Sequence, residues 1–150
     1  MRLGTKLIAI SILLGNLTVA QGVTPLQKTQ LEQLIPDIIE QASKNQWQAD
    51  LSNLIPLNTQ QYLMSIFKPN HPNDIISGYG KVTSMASDQP VSMTIYWSIT
   101  NGDTQIDHAS NVQLSLNDTP DDWTIQQIHL VSDQIVKHTQ LKKQRFEHCH

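Results

Sequence analysis

Between Val91 and Thr100 the sequence alternates without a break. Val91, Met93, Ile95, Trp97 and Ile99 are apolar, and Ser92, Thr94, Tyr96, Ser98 and Thr100 sit between them. Successive side chains of a strand leave opposite faces, so this pattern predicts a strand with one face on a core. The phase assigns Trp97 to that core and Tyr96 to the other face. Asn101-Gly102 follows, a pair that tolerates positive φ and marks a hairpin turn. A return strand is expected from about Gln105, with Val112, Leu114 and Leu116 pointing inward. An antiparallel hairpin is therefore the fixed point around which the rest of the chain must fold.

Strands are expected on both sides of it. Tyr79, Val82 and Met85 indicate a first strand in poor phase, with Gly78 and Gly80 marking a bend or bulge. Asn117 to Asp122 reads as a second turn. The last strand begins with Trp123 and Ile125 but continues with Ile128 and Leu130, so its apolar phase slips at Gln126-Gln127. Either a bulge sits there, or the two halves of the strand are buried on opposite faces. Val131, Ile135 and Val136 extend the strand toward a polar end.

The apolar face of this sheet needs a cover, and residues 24 to 67 supply helical spacing. Thr24-Pro25 is an N-cap followed by proline at the first helical position. Leu31, Leu34, Ile35, Ile38, Ile39 and Ala42 then recur at intervals of three and four, on one face. Pro36 lacks an amide hydrogen and should kink the helix or divide it near Gln33. Trp47, Leu51, Leu54 and Ile55 indicate a second short helix closed by Pro56. Asn58 is a candidate cap for a third, packed through Tyr62, Leu63, Ile66 and Phe67. Pro69, Asn70, Pro72 and Asn73 make a rigid polar connection to the strands. The fold class expected is α+β: N-terminal helices packed on a curved antiparallel sheet of about four strands.

The first twenty residues belong to a different kind of segment. Arg2 and Lys6 precede an apolar run from Leu7 to Val19, and the small residues Thr18 and Ala20 suit cleavage before Gln21. At about thirteen residues the run is short of the roughly 17–25 that span a bilayer. Residues 1–20 are therefore expected to be a signal peptide, 21–140 a single domain, and 141–150 a polar flexible tail. The expected location is a bacterial periplasm or the secreted fraction, with no membrane association after cleavage. Cys149 is the one cysteine, so no internal disulfide can form and packing alone must hold the domain.

Two of the ten Lys and Arg residues lie in the leader, which leaves eight against thirteen Asp and Glu, a formal charge of −5 beyond Ala20. A nucleic-acid partner is not expected, because phosphate tracking needs a basic stripe. A basic protein partner is compatible, since an acidic face steers one.

The helical Leu31-to-Phe67 region, the three long strands after it and Trp123-Thr124-Ile125 entering the last strand resemble the cone-shaped family typified by nuclear transport factor 2. The resemblance covers most of the chain beyond the leader and carries no specific motif. It implies a pocket between the long helix and the sheet. Its members include small binding proteins, isomerases, dehydratases and accessory domains.

Several residues carry chemistry worth weighing. Asp103, Asp107 and His108 follow the hairpin turn, and an acid with an imidazole can work as a general acid–base pair. Adjacent strand residues face apart, however, so Asp107 and His108 are not expected to cooperate. Tyr79, Asp107 and His129 are the candidates for polar groups in a pocket. Tyr96, among Ser92, Thr94 and Ser98, is the candidate for a partner-binding surface. His148, Cys149 and His150, with His138, carry thiolate and imidazole groups that suit zinc, copper or nickel, but adjacent ligands at a chain end do not make a preorganised site. No Walker loop, dinucleotide fingerprint, zinc-protease helix or nucleophile elbow occurs, and no cofactor is expected. The function expected is that of an exported, non-catalytic binding or accessory protein that meets another protein through an acidic or sheet surface. The alternative is a small-ligand-binding cone protein or a weak enzyme.

Overall fold

Helix α1 (Pro25–Lys44) runs unbroken through Pro36. The proline is exposed, on the side opposite Leu31, Ile35, Ile38, Ile39 and Ala42, all of them buried. A proline inside a helix costs about 3 kcal/mol, and burying several aliphatic side chains at about 1.5–3 kcal/mol each outweighs that. The division expected near Gln33 is therefore absent: the packed face holds both halves in one continuous helix. The helix ends in a Schellman arrangement. Asn45 takes φ 53°, its amide donates to Ala42 O at 3.2 Å, and the Gln46 amide donates to Gln41 O at 3.0 Å. Asparagine is one of the few residues that tolerates this left-handed turn.

The computed structural model describes residues 25–85, 90–119 and 122–140. The expected signal peptide, the polar tail and the His148-Cys149-His150 cluster lie outside them. Helices α2 (Ala49–Leu54) and α3 (Leu57–Ile66) follow α1. Asn58 does not cap α3. Pro56 occupies the cap position, and the buried Gln60 side chain donates to Ile55 O at 2.8 Å, satisfying a carbonyl that the short helix α2 leaves open.

Four strands then form one antiparallel meander in the order β1-β2-β3-β4: β1 (Ile75–Ser84), β2 (Val91–Asn101), β3 (Thr104–Thr119) and β4 (Asp122–Gln140). The fold is the expected α+β arrangement, with the helices on a four-stranded antiparallel sheet. The first hairpin is displaced by one residue from the sequence reading. Asn101 is the last residue of β2, paired with Thr104, and the loop is Gly102-Asp103 with Gly102 at φ +54°. Glycine at the first central position is what a two-residue loop of this hand requires. The second turn is shorter than expected, because β3 and β4 pair as far as Thr119 and Asp122.

The phase slip on the last strand is a bulge. Ser115 pairs with Gln127 and Leu116 with Ile125, leaving Gln126 as the extra residue. Its carbonyl accepts from Thr59 Oγ1 on α3 at 3.0 Å. Two further extra residues, Val131 and Val136, interrupt β4. On β1 the core-facing set is Ile76, Gly78, Gly80 and Val82, not the set read around Tyr79. Gly80 lies under α1, and a Cβ there would meet Ile35 Cγ1 at 2.9 Å. The absent side chain lets helix and strand approach. Leu31, Ile35, Ile38, Met93, Ile95 and Trp97 belong to one core cluster between α1 and the sheet.

Candidate functional site

All three helices lie on one side of the sheet, so the two faces carry different chemistry. On the uncovered face the β1–β2 register sets Tyr79 beside Tyr96. Their ring centroids are 5.4 Å apart with planes tilted by 30°, and the residues are 51% and 40% exposed. Next to them lies a shallow depression of about 390 Å³, bordered by Ser77, Ser98, Asp107 and Val136. Asp107 is held there by Ser98 Oγ at 2.6 Å and Gln105 Nε2 at 2.9 Å. The Ser98 bond, then the Gln105 bond, lower its carboxyl below the ordinary carboxylate value.

Three of the four candidates read from the sequence therefore come together, though not where two of them were placed. Tyr79 and Asp107 were expected in a space between α1 and the sheet. That space is filled by the aliphatic core, and both side chains lie on the opposite face. His129 is exposed opposite Gln113 on the same outer face, six residues along β3 from Asp107, and does not join the group. Period-two geometry is the cause: a residue one step out of phase with the core set must leave the other side.

The helix-facing side holds a polar chain that sequence reasoning missed. Trp97 is 6% exposed, and its Nε1–H donates to Ser110 Oγ at 2.8 Å. Ser110, 1% exposed, donates in turn to Asp133 Oδ1 at 2.6 Å. The other oxygen of Asp133 stands 3.1 Å from His108 Nδ1. The imidazole is stacked on the Trp97 indole, 4.1 Å between centroids and 11° from parallel. Register explains the gathering, because Trp97 pairs with His108, and Ser110 pairs with Asp133.

With the Asp133 carboxylate as acceptor, His108 Nδ1 is assigned as the donor, and in the neutral ring of that tautomer Nε2 is the acceptor. Ser110 has both its donor and an acceptor position engaged within the core, so it is a link and not a nucleophile. His108 was weighed beside Asp107, its neighbour in sequence, whereas its partner lies across the sheet on β4. A signal for Ser110 did exist. It occupies the inward phase of Val112 and Leu114, and a polar group in that phase needs a hydrogen-bond partner.

Among the described residues no group of three or more His, Cys, Asp or Glu side chains is placed to hold a metal ion. Among them, too, no helix is long and apolar enough to cross a membrane. Compared with known proteins, the chain matches no family model, no curated protein and no solved structure.

Proposed function

We propose that the protein is an exported, non-catalytic binding protein that meets another protein through its uncovered sheet face. The observation that carries this reading is the exposed Tyr79–Tyr96 pair beside the Asp107 depression. Tyrosine gives contact area with a polar handle at low conformational cost, and paired rings on a flat face make a natural anchor. The leader at Met1–Ala20 supports export to a bacterial periplasm or beyond, and the charge of −5 past it favours a basic partner. A long helix ahead of a four-strand meander also supports placing the chain with the nuclear-transport-factor-2-like cone proteins.

The test is purification at native abundance, in parallel with a Tyr79→Ala, Tyr96→Ala double variant. A co-purifying protein that is lost in the variant, while the thermal midpoint is kept, is the expected result. Recovery as a monomer without a saturable partner at low and moderate salt overturns it.

A second reading, a small-ligand site or weak enzyme, is favoured by the His108–Asp133 pair at 3.1 Å. It requires the free imidazole nitrogen to meet a ligand. Imidazole nitrogen resonances followed by NMR against a panel of small polar molecules test it, with His108→Gln as control. Unmoved resonances across the panel remove this reading.

A further inference from the structure

The sheet has two outer strands, and an outer strand presents main-chain N–H and C=O groups without a neighbour. On β4 the edge is interrupted by the extra residues Gln126, Val131 and Val136, and the Leu130 amide is taken by the Tyr62 hydroxyl at 3.0 Å. On the C-terminal half of β1 the Val82 amide is taken by Glu32 Oε2 of α1 at 2.8 Å. That bond also sets the phase of the ladder. Val82 N–H points away from β2, and the main-chain groups of successive strand residues alternate sides. β1 pairs with β2 one to one from Ile75 to Val82. The N–H and C=O groups of Ile76 and Gly78 therefore point to the free edge, and among the described residues they have no partner there.

This unbroken stretch opens onto a groove of about 710 Å³. Its other wall is the exposed side of α1, with Pro36, Asp37, Glu40 and Lys44, and Asp74 stands at its end. Lys44 is already bound to Glu40 at 2.9 Å, so Asp37 and Asp74 leave the groove with a charge of −2.

We propose that the β1 edge at Ile76 and Gly78 takes an extended, lysine- or arginine-rich segment of a partner protein as a fifth strand. Main-chain bonds to Ile76 and Gly78 supply the affinity. Alternate side chains of the segment turn toward α1, where Asp37 and the net negative charge of the groove select positive charge. That the occupant is a protein segment rests on the binding reading above; that the edge is open does not.

The experiment uses the full chain and a synthetic peptide of alternating lysine and valine. Its controls are the glutamate–valine counterpart and a lysine–valine peptide methylated at alternate main-chain nitrogens. Amide hydrogen exchange is read residue by residue. The expected result is slowed exchange at the Ile76 and Gly78 amides with the lysine peptide alone. Affinity should fall about tenfold, or roughly 1.4 kcal/mol, in an Asp37→Lys, Glu40→Lys variant. Exchange that stays fast at both amides overturns the proposal, as does protection that the methylated peptide reproduces. So does protection already present without peptide, which would assign the edge to the chain's own basic segment Lys142–Arg145 or, if it grows with protein concentration, to a second copy. Because Tyr79→Ala with Tyr96→Ala leaves this edge intact, loss of a native partner in that variant alongside unchanged peptide protection separates the two readings.

Discussion

Trp97 and His108 face each other across β2 and β3 with their rings stacked at 4.1 Å, so the largest core side chain also braces the site's imidazole. Phe67, at the end of α3, meets the same indole edge-on, 5.0 Å between centroids. Trp97 thus joins the helix layer, the sheet and the polar chain.

Trp97→Ala should destabilise the protein by about 3–5 kcal/mol, because it opens a cavity and also strips Ser110 of its donor. Tyr96→Ala, on the uncovered face, should cost about 1 kcal/mol or less. Urea unfolding of both variants checks the difference. Equal losses would mean that the outer face is covered as well.

Ser110→Ala should cost about 1–3 kcal/mol, more than removal of one hydroxyl ordinarily does. The change leaves the Trp97 N–H buried without an acceptor and removes a hydrogen bond from Asp133. Ser98→Ala, whose hydroxyl is half-buried, is the control and should cost less. The two variants separate a buried polar link from a surface one in a single denaturant series.

The strand pattern was legible where one face is buried and the other is not. Val91 to Ile99 announced its phase, its core tryptophan and its outward tyrosine, and the slip at Gln126-Gln127 announced either a bulge or a change of buried face, of which the structure has the bulge. β1 was not legible in the same way, because two of its four inward positions are glycine and carry no hydrophobic signal. The unbroken α1 was hidden by Pro36, since local propensity cannot register the tertiary packing of the opposite face. Asp133 was invisible for another reason. Its partners His108 and Ser110 lie on β3, 25 and 23 residues away, and the extra residues Gln126 and Val131 stand between the turn and Asp133. A bulge shifts every downstream partner, so cross-strand chemistry cannot be paired from spacing alone.

Gly80→Ala and Gly102→Ala should both destabilise, for different reasons. At Gly80 the added carbon meets Met93 Sδ at 2.8 Å and Ile35 Cγ1 at 2.9 Å. The thioether can turn aside but the branched Ile35 of α1 cannot, and overpacking of this kind costs about 1–3 kcal/mol. At Gly102 nothing lies within 4 Å, and the penalty comes from φ +54° alone, about 1–2 kcal/mol for an L-residue. In a double-mutant cycle Ile35→Ala, which removes the clashing Cγ1, should recover part of the first loss and none of the second. Recovery in both, or in neither, would contradict the assignment.

Acid should unfold the protein partly through Asp74 and Asp107. The Asn101 side chain lowers the Asp74 carboxyl, its oxygen accepting at 2.7 Å, and the Ser98 hydroxyl lowers that of Asp107. Each group's value in the folded chain lies below the ordinary 3.8. The unfolded chain therefore takes up the proton first as pH falls. The stabilisation is complete above that ordinary value, declines as pH drops through it, and is gone below the folded value. Urea midpoints measured as pH falls below about 5 check this. The wild-type midpoint should fall more steeply with acid than that of an Asp74→Asn, Asp107→Asn double variant. Ser98→Ala should move the Asp107 titration, followed by NMR, back up toward its ordinary value. Parallel slopes in the two proteins, with an unmoved Asp107 titration, would show that these hydrogen bonds do not favour the charged carboxylates.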